Sequence, residues 1–252
     1  ADRALVDRVF AERGIDAVIH GGALHKPDIA RYPAQAFVDV NVAGTLNLLE
    51  AAARAGHDRF VFTSTTSLMI SQAIRDEAGE AATWLDEDSG PIEPRNIYGV
   101  TKLAAEQLCR LAWLNDGLNC VVLRTSRFFP EEDDTHRGLS GENMKANELL
   151  HRRLTAEDAA RAHLCALEKA PEIGFDVFIV HFPDATELYR ARGWELPASI
   201  GRIYDAARAE RRLGFRCETG FAEVLDALRT GRPLPFAHDP AYVSPKEPTG
   251  AA

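Results

Sequence analysis

Tyr98-Gly-Val-Thr-Lys102 sets a phenol and an ammonium four residues apart, and on a helix that spacing puts both on one face. A free tyrosine titrates near pH ~10 and is a poor base at neutral pH. A cation beside it favours the phenolate and lowers that pKa, which suits moving a proton at a substrate hydroxyl. The same pair also occurs on helices that do no chemistry, so further groups are needed. Thr63-Ser64-Thr65-Thr66-Ser67 supplies hydroxyls directly after an apolar run, Arg59 to Thr63. Beyond the carboxyl end of a buried strand they can bind a substrate alcohol or a developing oxyanion, although a plain Ser/Thr turn has the same composition. His20-Gly21-Gly22-Ala23 follows a second apolar run, and its small residues either let backbone approach a flat or charged ligand or make a tight turn.

The elements that must position these groups alternate. Residues 3–13 have helical spacing and end at Gly14, and Asp16–His20 reads as a short buried strand. A long amphipathic helix over 35–55 closes at Gly56, and Arg59–Thr63 is a second strand. The acidic stretch 71–95, with Pro91 and Pro94, reads as a surface loop. Asn96 caps a predicted helix over 97–115, and Asn119–Arg124 is a third strand. Thr155–Ala170 is helical and Phe175–Val180 strand-like; helices follow at about 202–213 and 221–229, and the Pro-rich end after Arg232 reads as a tail. Strands and helices alternating at these lengths predict an α/β fold with a mostly parallel, doubly wound sheet.

Composition narrows the functional classes. With 46% hydrophobic and 27% charged residues over 252, the chain is ordinary globular protein with enough length for a sizeable core. A net charge of −9 argues against nucleic acid as partner. No apolar run reaches the ~20 residues of a membrane helix. Cys109, Cys120, Cys165 and Cys217 form no CxxC pair, which suits reduced thiols and a cytoplasmic setting. None of the eight histidines sits in an HxxxH or HExxH register; His20 with His25, and His151 with His163, come nearest. No metal site is expected. His163 reads as a helix-face residue, and Glu131–Asp134 as a solvated acidic run.

Several stretches, in order, resemble the extended short-chain dehydrogenase/reductases of the NAD-dependent epimerase/dehydratase family, nucleotide-sugar 4-epimerases above all. They are 16–23, 41–52, 59–67, 86–108, 121–130, 153–167 and 206–215. The resemblance implies a Rossmann-like sheet, with residues 1–130 the remainder of a dinucleotide-binding domain. Residues 131–232 would be a smaller α/β substrate region, 150–180 returning to the sheet, and 233–252 a tail. It implies Tyr98 as catalytic acid/base, Lys102 as its partner holding the nicotinamide ribose, and Thr65 as the catalytic hydroxyl. Gly21, Gly22, Ala23, Leu24, His25, Asn41, Thr63 and Ser126 would contact the cofactor, and Ser67 and Arg127 the substrate. The implied chemistry is isomerase and oxidoreductase in kind: Tyr98 takes a proton from a sugar hydroxyl while NAD accepts a hydride and later returns it. The implied assembly is a homodimer through helices 35–55 and 97–115.

The sequence also departs from that family. No GxGxxG-like turn precedes Gly44, although a dinucleotide pyrophosphate needs one at a helix N-terminus. At least one βαβ unit of ~30 residues is absent here. Either the chain is a fragment or further residues of the same protein precede it. The latter is expected, since a sheet without its first strands would expose an apolar edge; tight NAD binding should fail if they are truly missing. The choice between NAD and NADP stays open, because the residue that sets it lies in that unit. Arg127 stands where the family has an asparagine; it can bind phosphate or pair with Glu131–Asp134. Residues 176–180 run at once into His181-Phe182-Pro183, where the family has a longer segment. Two further readings are kept: an NAD(P)-dependent reductase or dehydrogenase of another carbonyl or alcohol, and a non-catalytic dinucleotide sensor.

Overall fold

A computed structural model describes residues 2–75, 83–129, 153–181 and 202–235. In chain order the first elements are α1 (Arg3–Glu12), β1 (Val18–His20), α2 (Ala34–Phe37), α3 (Gly44–Arg54), β2 (Arg59–Thr65), α4 (Gln72–Arg75) and β3 (Thr83–Leu85). Then come α5 (Ile97–Asp116), β4 (Asn119–Thr125), β5 (Arg127–Phe129) and β6 (Arg153–Thr155). The last are α6 (Ala156–Ile173), β7 (Phe175–Val180), β8 (Arg202–Tyr204), α7 (Ala207–Leu213) and α8 (Phe221–Thr230).

Four strands form one fully parallel sheet in the order β1-β2-β4-β7. Alternation along the strands sends side chains to two helical layers. Phe60 and Phe62, with Cys120 and Val122, pack under Leu49 and Ala52 of α3 and Ala105, Cys109 and Ala112 of α5. Val61, Val121, Leu123, Phe178 and Val180 face the other way, onto α6. There Ala159, Ala162, Ala166 and Ala170 present a buried stripe of small side chains, which lets the helix lie close on the sheet. The layers on both faces make the sheet doubly wound, as the alternation predicts.

The helix expected over 35–55 is continuous but irregular: Val38–Ala43, between α2 and α3, is π-helical. The helix expected over 97–115 starts where Asn96 Oδ1 accepts the Gly99 N–H at 2.9 Å. It ends at Gly117, whose φ of 70° closes the last turn. The 71–95 stretch is more than a loop, since its described residues include α4 and β3. Residues 202–204 are strand rather than helix, paired in parallel with β3. Both strands are three residues long and each is made by its partner, so neither carries a local period. Glu87, just past β3, accepts the Ile179 N–H of β7 at 2.8 Å, which covers a backbone donor on the last strand of the sheet.

Candidate active site

The C-terminal end of β2 gathers the expected groups. Lys102, 1% exposed, donates from Nζ to the Thr63 carbonyl at 2.6 Å, with the ammonium 4.6 Å above the Phe62 ring. Two residues along the same strand, Thr65 is hydrogen-bonded to the buried Tyr98 hydroxyl. Thr65 Oγ1 accepts the Ser67 N–H at 3.1 Å, so its own proton is available to the phenol oxygen. Gly99 makes the approach of α5 possible: a Cβ there would lie 2.8 Å from Pro94 Cβ.

The electrostatics differ from the sequence expectation. Burial pushes the Tyr98 phenol up to about 12, and the opposing pull comes from the Thr65 hydrogen bond. Lys102 was expected to lower it. Instead its ammonium is spent on the Thr63 carbonyl, and burial brings Lys102 itself down to about 8, with Glu106 and then Cys109 opposing. Desolvation, which disfavours any charge, dominates at both groups.

The loop after β1 lies beside these groups. Gly21 and Gly22 are exposed, and Ala23 and Leu24 half-buried. The His25 ring stacks on Tyr98, centroids 5.6 Å apart and planes at 29°. Asn41, in the π-helical turn, holds the loop: its Oδ1 accepts the Leu24 N–H at 2.8 Å and its Nδ2 donates to the Leu24 carbonyl at 3.0 Å. Nδ2 also donates to Thr101 Oγ1 at 3.1 Å, tying the loop to α5. The expected cofactor contact of Asn41 is thus, in this arrangement, a clamp on loop backbone. A wide turn at a functional position is a common use of π-helix.

The remaining expected residues spread along the same end of the sheet. Thr63 Oγ1 lies 2.7 Å from His163 Nε2, and His163 Nδ1 is 2.7 Å from the Ala159 carbonyl. A carbonyl only accepts, so Nδ1 carries the proton and Thr63 donates to Nε2. Burial holds His163 below its usual value, the Ala159 carbonyl opposing. Ser126 is buried past β4, with its N–H on the Val180 carbonyl at 3.1 Å and its Oγ 3.1 Å from His181 Nδ1. Ser67 is half-buried above Thr65. Arg127 opens β5, in register with Arg153 of β6; its suggested partners Glu131–Asp134, like His151, lie outside the described residues.

Three features escaped the sequence reading. His163 is more than a helix-face residue, because it fixes the Thr63 side chain. His20 is buried, with Nε2 2.9 Å from Thr45 Oγ1, which itself donates to the Asn41 carbonyl at 2.6 Å. Nε2 must therefore be the donor, and burial, then Lys102, lowers His20 to about 4. Beneath Lys102 lies a buried ion pair. Arg124 donates to Glu106 from Nε at 3.0 Å and Nη2 at 2.7 Å, and Ser64 donates to Glu106 Oε1 at 2.5 Å. A signal was present: Tyr98, Lys102 and Glu106 share a face at i, i+4 and i+8, and Arg124 interrupts an apolar strand.

The donor set suits the nicotinamide-ribose end of a dinucleotide. An ammonium has three donors and Thr63 takes one. Among the described residues a Cβ on Gly21 would meet only Thr63 Oγ1, at 3.7 Å, which leaves room for a planar ligand beside the loop. No segment of the sequence supplies the pyrophosphate turn. No group of three metal-ligating side chains is found among the described residues.

Comparison with known proteins gives the family and the fold. The model of the "NAD dependent epimerase/dehydratase family" matches residues 1–178. UDP-glucose 4-epimerase of Azospirillum brasilense is 36% identical over 124 residues, 48% of this chain and 32% of that protein. GDP-6-deoxy-D-mannose reductase of Pseudomonas aeruginosa is 38% identical over 110 residues, 43% and 34%. The chain thus spans about a third of the length of these curated relatives. Among solved structures, UDP-glucose 4-epimerase of Thermotoga maritima superposes with a TM-score of 0.64 at 20% identity, over 90% of this chain and 80% of that one.

Proposed function

The chain belongs to the NAD-dependent epimerase/dehydratase family, and from that premise we propose that it carries the catalytic part of an NAD-using nucleotide-sugar 4-epimerase. The observation that supports this most is that Tyr98 and Lys102, one turn apart on α5, reach Thr65 and the Thr63 carbonyl respectively at the C-terminal end of β2. NAD, when bound, would supply a reversible hydride acceptor. The chain's own residues do the rest. Tyr98, as the phenolate, takes the proton of the reacting sugar hydroxyl and returns it, and Thr65, polarised by the Ser67 N–H, holds that hydroxyl beside it. Lys102, held on the Thr63 carbonyl, would bind the nicotinamide ribose, and its charge would offset part of the cost of a buried phenolate. Gly21 to His25 would form the wall against the cofactor, held by Asn41, with Ser126 on the far side and Arg127 toward the sugar diphosphate.

The test is conversion of UDP-galactose to UDP-glucose by the full-length protein in the presence of NAD. Tyr98→Phe is expected to lower turnover by roughly 10²–10⁴-fold with fold unchanged. A Tyr98→Phe protein as active as the parent would overturn the reading. The second reading, an NAD(P)-dependent reductase or dehydrogenase, draws support from Arg127 and from the Pseudomonas aeruginosa reductase among the relatives. It requires net accumulation or consumption of reduced nicotinamide, which epimerisation does not produce.

We further propose a homodimer through α3 and α5, a small-molecule rather than nucleic-acid partner, and a reducing, cytoplasmic setting. The last two are supported by the net charge of −9 and by the four free cysteines. No helix among the described residues is long and apolar enough to cross a membrane.

A further inference from the structure

Lys102 is an ammonium almost wholly withdrawn from water, touching one carbonyl and one ring face. Such a group loses its proton unless something offsets the desolvation. We propose that Glu106 is the positioning residue of this site: its carboxylate, locked by Arg124 and Ser64, keeps Lys102 charged and aimed at the end of β2. The proposal rests on the catalytic reading of Tyr98 and Lys102 and adds to it the origin of the lysine's charge.

Elimination among the described surrounding groups favours Glu106. From β1, His20 is held to about 4 and is neutral at pH 7, so it offers no anion. From β2 come the uncharged Thr63 carbonyl and Phe62 ring. Cys109, on α5, is held well above its usual value, first by burial, so it meets Lys102 as a neutral thiol. Tyr98 is likewise neutral, held near 12. Arg124 adds a second cation from β4, which alone would push Lys102 the wrong way. Glu106, one helical turn beyond Lys102, is the acid that opposes burial most strongly.

Its geometry suits a fixed counter-charge. Both carboxylate oxygens are held by Arg124, and Oε1 also by Ser64, so Glu106 cannot swing to Lys102 and collapse onto it as a contact pair. The ammonium is stabilised through space while its N–H groups stay directed at the Thr63 carbonyl and the cleft. Arg124 Nη1 is buried with no hydrogen-bond partner among the described residues; with two cations and one carboxylate, the cluster of Lys102, Arg124 and Glu106 carries one net positive charge.

The experiment titrates Lys102 directly, by lysine 13Cε NMR on the full chain without ligand. Five lysines keep the spectrum simple, and Lys102→Arg assigns the signal. In Glu106→Gln the Lys102 midpoint is expected to fall by about one pH unit or more. In Ser64→Ala, which keeps the carboxylate, it should stay within about 0.3 pH unit of the parent. Glu106→Gln strands Arg124 and can unfold, so the double variant Glu106→Met with Arg124→Met replaces the pair by apolar volume, a swap buried ion pairs often tolerate. There, too, the midpoint should fall. Glu106→Asp, which draws the charge back by one methylene, should give a smaller fall in the same direction. In UDP-galactose turnover the alkaline limb should move down with the titration, recovering at lower pH; lost packing would lower activity at every pH. An unmoved Lys102 midpoint in a folded Glu106→Gln or double variant overturns the proposal. Failure of the catalytic reading would show elsewhere, as Tyr98→Phe activity, with the Lys102 titration still read.

Discussion

His20 illustrates a residue whose role comes from burial and not from reactivity. Its ring donates to Thr45, which donates to the π-helical Asn41 carbonyl, and Asn41 in turn holds Leu24. Protonating His20 would put a second positive charge beside Lys102. The folded pKa of about 4 lies below the ordinary 6.5, so between those values the unfolded chain binds the proton and the folded one does not. Stability is therefore lost as pH falls through that window, by on the order of 3 kcal/mol across it from this group. His20→Gln, whose amide can still donate to Thr45, should unfold less readily on acidification. Urea melts at pH 4.5 and 7 on both proteins would show it as a smaller loss in the variant; equal losses would place the acid sensitivity elsewhere.

At the scale of elements, the proposed catalytic geometry depends on how closely α5 approaches Pro94 and Leu68. Gly99 is the point of contact, with a Cβ meeting Pro94 Cβ at 2.8 Å and Leu68 Cα at 3.6 Å. Alanine would gain about 1 kcal/mol of helix propensity, but forcing a methyl into that gap costs roughly 1–3 kcal/mol. The net expectation for Gly99→Ala is a Tm lowered by a few degrees. The α5 N-terminus should move, and Tyr98 and Thr65 separate, so turnover should fall at least tenfold with little change in affinity for the substrate. An unshifted Tm with full turnover would mean that the chain before α5 yields freely. These relations were only partly legible in the sequence. The buried runs of β2, β4 and β7, the Asn96 cap and the Tyr98–Lys102 spacing are local, and each was readable. The pairing of β3 with β8, the bond from Thr63 to His163 and the seat of Glu106 on Arg124 join residues far apart in sequence, where no period or cap points to the partner. The phenol's pKa direction was missed for a related reason: spacing reveals a neighbouring cation but not how much water the fold removes.

For the whole molecule, the question is what covers the apolar residues left over after the sheet is packed. Leu49 of α3 and Ala105, Cys109 and Ala112 of α5 already face the sheet. Val100, Leu111 and Leu114 of α5 are a different stripe, 48%, 49% and 60% exposed, with Val38 and Leu46 exposed on the neighbouring helical segments. Residues 100, 111 and 114 recur at spacings that keep them on one side of a helix, and exposed apolar side chains sharing one helix face are what an interface would use. Burying such side chains contributes roughly 1.5–3 kcal/mol each, enough for several to hold two copies together by the α3–α5 face. The parent chain is therefore expected to scatter light as twice its 27.7 kDa at micromolar concentration, with a Tm that rises with concentration. Leu111→Glu with Leu114→Glu should give a monomer whose Tm no longer depends on concentration. Since Tyr98 and Lys102 sit on the opposite, buried face of α5, the Lys102 titration should survive dissociation. A parent chain that is already monomeric would remove this face from the assembly and leave its leucines as plain surface.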